Sequence, residues 1–500
     1  MNRKKQKVVI IGGGTAGMTI ANNIQDFFDV IVIEKSEYKK YPLWYKMPLL
    51  IGLLFRSKKL KYMSKRDFVL ADGRHIPFFE SNVLGGASLI NGCVHMLGNK
   101  ASWSSILKKF NLNYDDLAKS YKKIYTLDIK QNNKINLAPA PQNIIDNAFH
   151  KSLNSIGILS GDMNYSNKEA CGPIFNTVRK FFRTSVLSLI EKNLFECSIG
   201  EQAEGLVFNG SQVVGVKTNR RKILSDYVVL SGGVIGTCDF LVREQLTINK
   251  ANGNALKDVV FGIDIQDHTN LRVNVLTNKN IGSLNEISNS FYQKIALFTK
   301  HFTGQSSLIK GTGATSAVHL DLDKDGKIDT RIQIVQFSET GRHGSDGNFF
   351  SSSSPGFSLS ITSINPKSRG VFNIEGDGNS VNPKFLSEKS DIELLKIALE
   401  FSLKLLKSKP LNNHIHIIED EGIIRKNPEK YIYDNIFSGH HLIGGTNNAL
   451  NSNFEVKNSK GLFVCDASIF DRYAASNIHS SVVLIADMFA NKFIVNNFKK

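Results

Sequence analysis

The sequence predicts an α/β fold of more than one domain, opening with a Rossmann-like dinucleotide-binding unit. Two observations lead there. The chain has 500 residues, more than a single hydrophobic core usually holds. Its N-terminus runs strand, glycine turn, helix, strand and acid in the order that cradles a nucleotide. The composition agrees: 41% hydrophobic and 21% charged residues describe an ordinary globular protein that can close a core around a large cofactor.

Lys7 to Ile11 is a β-branched run that reads as a buried parallel strand. Gly12-Gly13-Gly14-Thr15-Ala16-Gly17 follows and fits G-x-G-x-x-G. Gly12 permits the tight turn, Gly14 lets the backbone approach a pyrophosphate, and Gly17 lets the helix sit close on the strand. Thr15 and Ala16 lie in the turn ahead of a helix whose N-terminal N–H groups and positive dipole end suit phosphate. Met18 to Phe28 is the expected helix and Val30 to Ile33 the second strand, ending at Glu34. Glu34 stands 22 residues after Gly12, near the ~20 at which an acid accepts a ribose hydroxyl. Its charge disfavours NADP; this unit alone leaves FAD and NAD both open.

The formal net charge is +17. The lysines are spread along the chain, and no zinc finger, basic zipper or RNA-binding aromatic motif accompanies them, so no nucleic-acid partner is expected. Five widely spaced cysteines without a CxxC pair argue against a disulfide framework or a zinc site and for the reduced thiols of a cytoplasmic protein. The apolar stretch after the basic N-terminus is short and glycine-interrupted, unlike a signal segment. No run reaches the ~18–20 apolar residues of a spanning helix.

Two further blocks separate the cofactors. Gly85-Gly86-Ala87-Ser88-Leu89-Ile90-Asn91-Gly92-Cys93-Val94-His95-Met96-Leu97-Gly98-Asn99 closely resembles the GGxSxxNxxxxxRGN signature of the glucose–methanol–choline (GMC) oxidoreductase family. The resemblance implies that Gly86, Ser88 and Asn91 lie against the pyrophosphate and flavin ring of FAD. Leu97 replaces the usual Arg. Ile90 stands where covalent members carry a flavin-linking His, which implies non-covalent FAD. His95 is read as structural.

Near the C-terminus, His440-His441-Leu442-Ile443-Gly444-Gly445-Thr446 resembles the family's H-x-x-G-T, with Gly445 in the Thr place. Gly461-Leu462-Phe463-Val464-Cys465-Asp466-Ala467-Ser468 resembles G-L-x-V-x-D-A-S, which implies that Asp466 and Ala467 contact the diphosphate and ribityl region. Ser476-Asn477-Ile478-His479-Ser480-Ser481 takes the place of G-N-T-N-A-P and adds Ser480 to the cofactor residues; the last helix is expected from Val482 to Ile494. The resemblance puts His441 and His479 at the two catalytic positions, the second being Asn or His in the family. Weaker matches run between: Val228 to Gly236, Ile265-Gln266-Asp267-His268 beside L-Q-D-H, Asn365 to Gly370 beside P-x-S-R-G, and a hairpin that brings Ala203 to the adenine.

These matches imply an FAD domain made of 1–110, 195–275 and 425–500 and a substrate domain made of 111–194 and 276–424, with an antiparallel sheet over the flavin. They imply oxidation of an alcohol or sugar CH–OH group by hydride transfer to flavin N5. A histidine suits the base because its pKa lies near the operating pH. His441 is the implied base and His479 its partner, though coupled groups share their titration and the two roles can exchange. A dehydrogenase is expected over an oxidase, since peroxide release inside a cell is costly; the electron acceptor and the substrate are not legible. The rivals are an NAD-dependent dehydrogenase, which leaves the later blocks unexplained, and a flavin-binding scaffold without turnover, against which the histidine pair speaks.

Three segments stand outside this reading. Asp321 to Asp329 carries acids at calcium-loop positions 1, 3, 5 and 9 and Gly at 6, but Ile332 takes the place of the bidentate Glu; an Asp-rich hairpin turn explains it equally, and no metal is expected. Residues 36–66 mix Tyr41, Trp44, Tyr45, Leu53 and Phe55 with many Lys and Arg, and a cofactor cover is favoured over peripheral membrane contact. The polar stretch Gly341 to Gly347 is exposed or substrate-facing, and Ser351 to Ser354 reads as a loop.

Overall fold

β-branched residues fill the strand Lys7–Ile11, and Val8, Val9 and Ile10 are completely buried. The computed structural model describes residues 5–38, 46–50, 63–70, 73–163, 168–180, 182–250, 255–303, 307–340, 350–351, 354–376 and 378–498. Lys7–Ile11 is the centre of a five-stranded parallel sheet in the order Glu196–Ile199, Asp29–Glu34, Lys7–Ile11, Tyr227–Leu230, Leu462–Val464. Widely separated parts of the chain thus build one sheet, as a doubly wound nucleotide fold requires.

The first helix is Thr15–Ile24, starting before the expected Met18. Gly14 is extended (φ −81°, ψ −159°) and hands the chain directly into the helix, so Gly17 lies in its first turn. A Cβ on Gly17 would stand 2.0 Å from the Gly12 carbonyl oxygen. That atom is backbone and has no rotamer to escape into. Gly17→Val is therefore expected to cost more than the ~1–3 kcal/mol of ordinary overpacking; a melting temperature within a few degrees of the parent would refute the close-packing assignment.

The last helix is Ile478–Asn497, 20 residues with mean hydropathy 1.4. By length and composition it could cross a membrane, which corrects the expectation that no segment qualifies. Yet 67% of its apolar window is buried inside the protein. It packs on Thr15–Ile24 and Tyr114–Ile124. Its buried Asp487 pairs with Lys123 Nζ at 2.7 Å and accepts from Ser120 Oγ at 2.6 Å. An ion pair at mid-helix suits a core helix rather than a lipid-facing one.

A second core lies under an antiparallel sheet in the order Ile415–Ile418, Thr269–Thr277, Gly356–Ser363, Thr330–Val335, Ala314–Leu320, Ala170–Pro173. Helix Lys389–Leu406 and the hairpin residues Phe68, Ile76 and Phe78 share that core. Helices Lys100–Lys109 and Tyr114–Ile124 join the first core and Ile144–Ser155 the second, so residues 111–194 are shared between them. A four-stranded antiparallel sheet, Gly378–Asn382, Gly370–Glu375, Ile263–Gln266, Ile443–Gly445, connects the two cores.

Asp321 to Asp329 is the turn of the hairpin between Ala314–Leu320 and Thr330–Val335. The carboxylates of Asp321, Asp323 and Asp325 approach within 4.8 Å of one another. Each has work in the turn: Asp321 accepts from Gly326 N, Asp323 from Asp325 N, and Asp325 pairs with Lys327 Nζ at 3.0 Å. Among the described residues none of the five cysteines forms a disulfide. Most of 36–66, including Tyr41, Trp44, Tyr45, Leu53 and Phe55, and all of 341–347 lie outside the described residues, as do Ser352 and Ser353.

Candidate active site

A cavity of about 610 Å³ opens at the carboxyl ends of the parallel strands, reached by Ile11, Glu34, Ser231 and Asp466. Ligands in open parallel sheets bind at this edge. Its walls include Gly12, Gly14, Thr15, Ala16, Glu34, Gly86, Asn91, Ala203, Asp466, Ala467, His441 and His479. One fold thus brings together most of the residues singled out above. Gly17, Ser88 and Ser480 are not in the wall. Gly17 is sealed against Gly12, the buried Ser88 Oγ donates to the Gly85 carbonyl at 2.7 Å, and Ser480 Oγ donates to the Met96 carbonyl. Leu97, in the place of the family Arg, is completely buried in the first core.

The nucleotide end is preorganised by backbone. Gly12 has φ +107° and its N–H donates to Ile33 O at 2.8 Å. Gly86 has φ +59°, and a Cβ there would stand 2.8 Å from Gly14 Cα, so the two glycine turns touch. The buried Glu34 carboxylate accepts from Gly13 N at 2.7 Å and Ser36 N at 2.8 Å; each oxygen keeps a lone pair for a ribose hydroxyl. Asp466 accepts from Gly233 N, Thr237 Oγ1 and Ser468 N, tying Leu462–Val464 to the helix beginning at Gly233; its carboxyl is raised, burial outweighing these hydrogen bonds.

The reaction end centres on His441. Its N–H donates to Asp267 Oδ1 at 2.8 Å, and its carbonyl accepts from Tyr473 OH at 2.9 Å. Asp267 is fully buried and pushed up to about 7 by that burial. The ring contacts two side chains: His441 Nδ1 lies 2.9 Å from His268 Nδ1, and Nε2 lies 3.1 Å from Asn477 Nδ2. Asn477, not His479, is the hydrogen-bond partner of His441 Nε2. His479 lines the same cavity, and its Nε2 is buried without a hydrogen-bond partner among the described residues. The neighbouring His440 stacks at an angle on Phe78 and Phe79. His95 lies outside the wall, beside Tyr125 and 3.3 Å from Tyr121 OH.

Sequence reasoning missed four residues here. Asn477 precedes the last helix at its N-cap, a position asparagine favours; a register two residues earlier on the Asn-or-His site finds it. His268 sits in the L-Q-D-H block, read above only as a strand match. Arg331 lies on Thr330–Val335, whose two faces are both nearly buried, so alternation gave no signal. Arg183 donates to Asn91 Oδ1 at 2.5 Å, while its Nε and Nη2 are buried without partners among the described residues.

The donor set fits FAD. The helices beginning at Thr15 and Ile478 have no side-chain cap, leaving N–H groups free at the cavity. Glu34 offers acceptors, and His479 Nε2 is an orphaned polar atom at the wall.

Burial holds several imidazoles neutral. His441, His95 and His319 are lowered to about 3 and His479 to about 4, in each case mainly by desolvation, with Arg331 adding to the effect at His441 and His319. A lowered folded pKa contributes stability that is present above ~6.5 and lost as pH falls through the folded value. Stability is expected to fall steadily from about pH 6.5 to pH 3, with each such histidine worth on the order of 4 kcal/mol at the acid end. Urea unfolding at a series of pH values checks this; a flat profile over that window would contradict it.

The family profile described as GMC oxidoreductase matches residues 366–486. Glucose dehydrogenase [FAD, quinone] of Drosophila pseudoobscura pseudoobscura is 22% identical, aligned over 96% of this chain and 85% of its own length. An oxygen-dependent choline dehydrogenase of Staphylococcus saprophyticus subsp. saprophyticus is 23% identical over 97% and 94%. In fold the chain is similar to pyridoxine 4-oxidase from Mesorbium loti, with TM-score 0.81, 18% identity and 98% and 99% of the two chains covered. It is also similar to formate oxidase, with TM-score 0.84, 16% identity and 99% of each covered. With the glycine cradle, the flavin-side blocks and the C-terminal histidine segment on one cavity, the chain is an FAD-dependent oxidoreductase whose residues 366–486 match the GMC oxidoreductase family and which is similar to such enzymes over nearly its whole length.

Proposed function

We propose that the chain oxidises the CH–OH group of a small alcohol or sugar, with FAD held non-covalently and His441 taking the hydroxyl proton. When bound, FAD supplies the two-electron sink that accepts the hydride. Gly12, Gly14, Glu34 and the uncapped start of Thr15–Ile24 would hold its nucleotide half; Gly86, Asn91, Asp466 and the start of Ile478–Asn497 would hold the rest. Ile90, at the cavity wall, has no group that bonds covalently to a flavin, which supports a dissociable cofactor.

His441 is neutral and carries one unprotonated ring nitrogen, as a base must. Asn477 Nδ2 donates to that nitrogen; a bound substrate hydroxyl would take its place on Nε2 and give up its proton there, with the Asn477 amide N–H turning to the hydroxyl oxygen. His479 offers a polar nitrogen to the bound molecules from the same wall. Five cysteines outside any disulfide support a cytoplasmic setting.

The observation that carries this reading is the 3.1 Å contact of His441 Nε2 with Asn477 Nδ2 at the wall of the nucleotide cavity. The test is anaerobic: the yellow holoprotein is mixed with alcohols, polyols, amino-alcohols and sugars, and flavin absorbance is followed. Bleaching by at least one compound supports the reading. A protein that stays oxidised with every one would be a flavin-binding scaffold.

A further inference from the structure

Four side chains, Arg331, Asn477, His441 and His268, are joined with a single donor-to-acceptor direction. His268 Nε2 lies 2.9 Å from the Ile364 carbonyl oxygen. A carbonyl only accepts, so Nε2 carries the proton. His268 is fully buried and lowered well below its ordinary value, first by desolvation and then by His441 and Arg331. It is neutral, with one N–H, and its Nδ1 is a bare acceptor. His441 Nδ1, 2.9 Å away, must donate to it. His441, also neutral, then has no proton on Nε2.

The other end gives the same answer independently. Arg331 Nη1 lies 2.5 Å from the side-chain oxygen of Asn477. A guanidinium only donates, so this fixes which end of the amide is oxygen. The Asn477 NH₂ is left for His441 Nε2, which must accept. Arg331 is itself buried, 3% exposed, with its Nε unpartnered and no carboxylate paired to it among the described residues. A buried cation without a counter-ion is costly, so a positional task is its best physical account.

We propose that Arg331 and His268 are positioning residues that set the tautomer of His441: Arg331 by orienting the Asn477 amide, His268 by accepting from the His441 Nδ1–H, so that Nε2 remains the free base nitrogen. This rests on the assignment of His441 as base, but the tautomer can be read without turnover. The titratable and charged groups around His441 are His268, His440, Asp267, Arg331 and Tyr473. Of these, Arg331 and His440 disfavour its protonated form, after desolvation.

The experiment is nitrogen NMR on holoprotein carrying ¹⁵N-histidine, with the His441 signals assigned by their loss in His441→Gln. Protonated Nδ1 and bare Nε2 in the parent protein are the expected result; the opposite tautomer overturns the proposal. Arg331→Met, which keeps volume but not the donor, should mix the two tautomers. It should also move the acid limb of the kcat/KM–pH profile upward and lower kcat/KM, by less than the ~10⁴-fold drop in kcat that follows when a base histidine is held in the wrong tautomer. Arg331→Lys should restore the parent tautomer. His268→Phe should populate the Nε2–H form. Unchanged His441 signals in both Arg331→Met and His268→Phe would overturn the positioning role. Full turnover in His441→Gln would instead overturn the function itself, leaving the tautomer result to stand, so the two failures are distinguishable.

Discussion

His441→Gln is expected to slow flavin reduction by an alcohol about 10²–10⁴-fold, the span attached to a positioned general base, while the protein stays yellow. The two halves of this outcome have separate causes. Gln is polar and still spans part of the imidazole volume, but it cannot accept a proton at neutral pH. The groups assigned to hold the cofactor, Gly12, Glu34 and Asp466, bond to Ile33, Gly13, Ser36, Gly233, Thr237 and Ser468, and none of these contacts passes through His441. Anaerobic stopped-flow absorbance measures the rate, and the spectrum before mixing measures flavin content. His440→Gln is the control: its ring leans on Phe78 and Phe79, and the imidazole bonded to Asn477 is that of His441. A His441→Gln rate within threefold of the parent, or a larger loss in His440→Gln, would sink the assignment of the base.

The nucleotide half was legible because its physics is local. Gly12, Gly14 and Gly17 act within one turn, and Glu34 follows at a distance set by one helix and one strand. The blocks at 85–99 and 461–468 were legible as contiguous words. The His441 partner was not, because it depends on the start of the last helix. That helix begins at Ile478, not Val482, and the shift brings Asn477 rather than His479 to the ring. His268 and Arg331 were further from reach. Arg331 is placed by the pairing of Thr330–Val335 with Gly356–Ser363, and His268 lies immediately before Thr269–Thr277, which pairs with the same strand; no local pattern encodes which buried polar residue such pairings carry to a site. The membrane reading of Ile478–Asn497 fails for a related reason. An all-round apolar helix is equally a core helix, and Asp487 with Lys123 and Ser120 shows which it is.

Gly14→Val is expected to give a folded, stable and nearly colourless protein. The contrast with Gly17 carries the argument. At Gly17 a Cβ would strike the Gly12 carbonyl oxygen at 2.0 Å, whereas at Gly14 the one neighbour within 4 Å among the described residues is Ser231 O at 4.0 Å. Gly14 also has φ −81°, a value any residue adopts, so the backbone gives no reason for glycine. The reason must then be what approaches it: Gly14 lines the cavity at the uncapped start of Thr15–Ile24, where a pyrophosphate would lie against bare backbone. Valine there fills cofactor space, and overpacking of ~1–3 kcal/mol weakens flavin binding roughly 10- to 100-fold. Flavin titration of the apoprotein by fluorescence quenching gives the dissociation constant, and thermal unfolding of apoprotein gives the stability. Weakened flavin binding with an unchanged apoprotein melting temperature supports the cradle. Equal loss of both would mean that Gly14 serves packing, and undiminished affinity would remove the pyrophosphate from this turn.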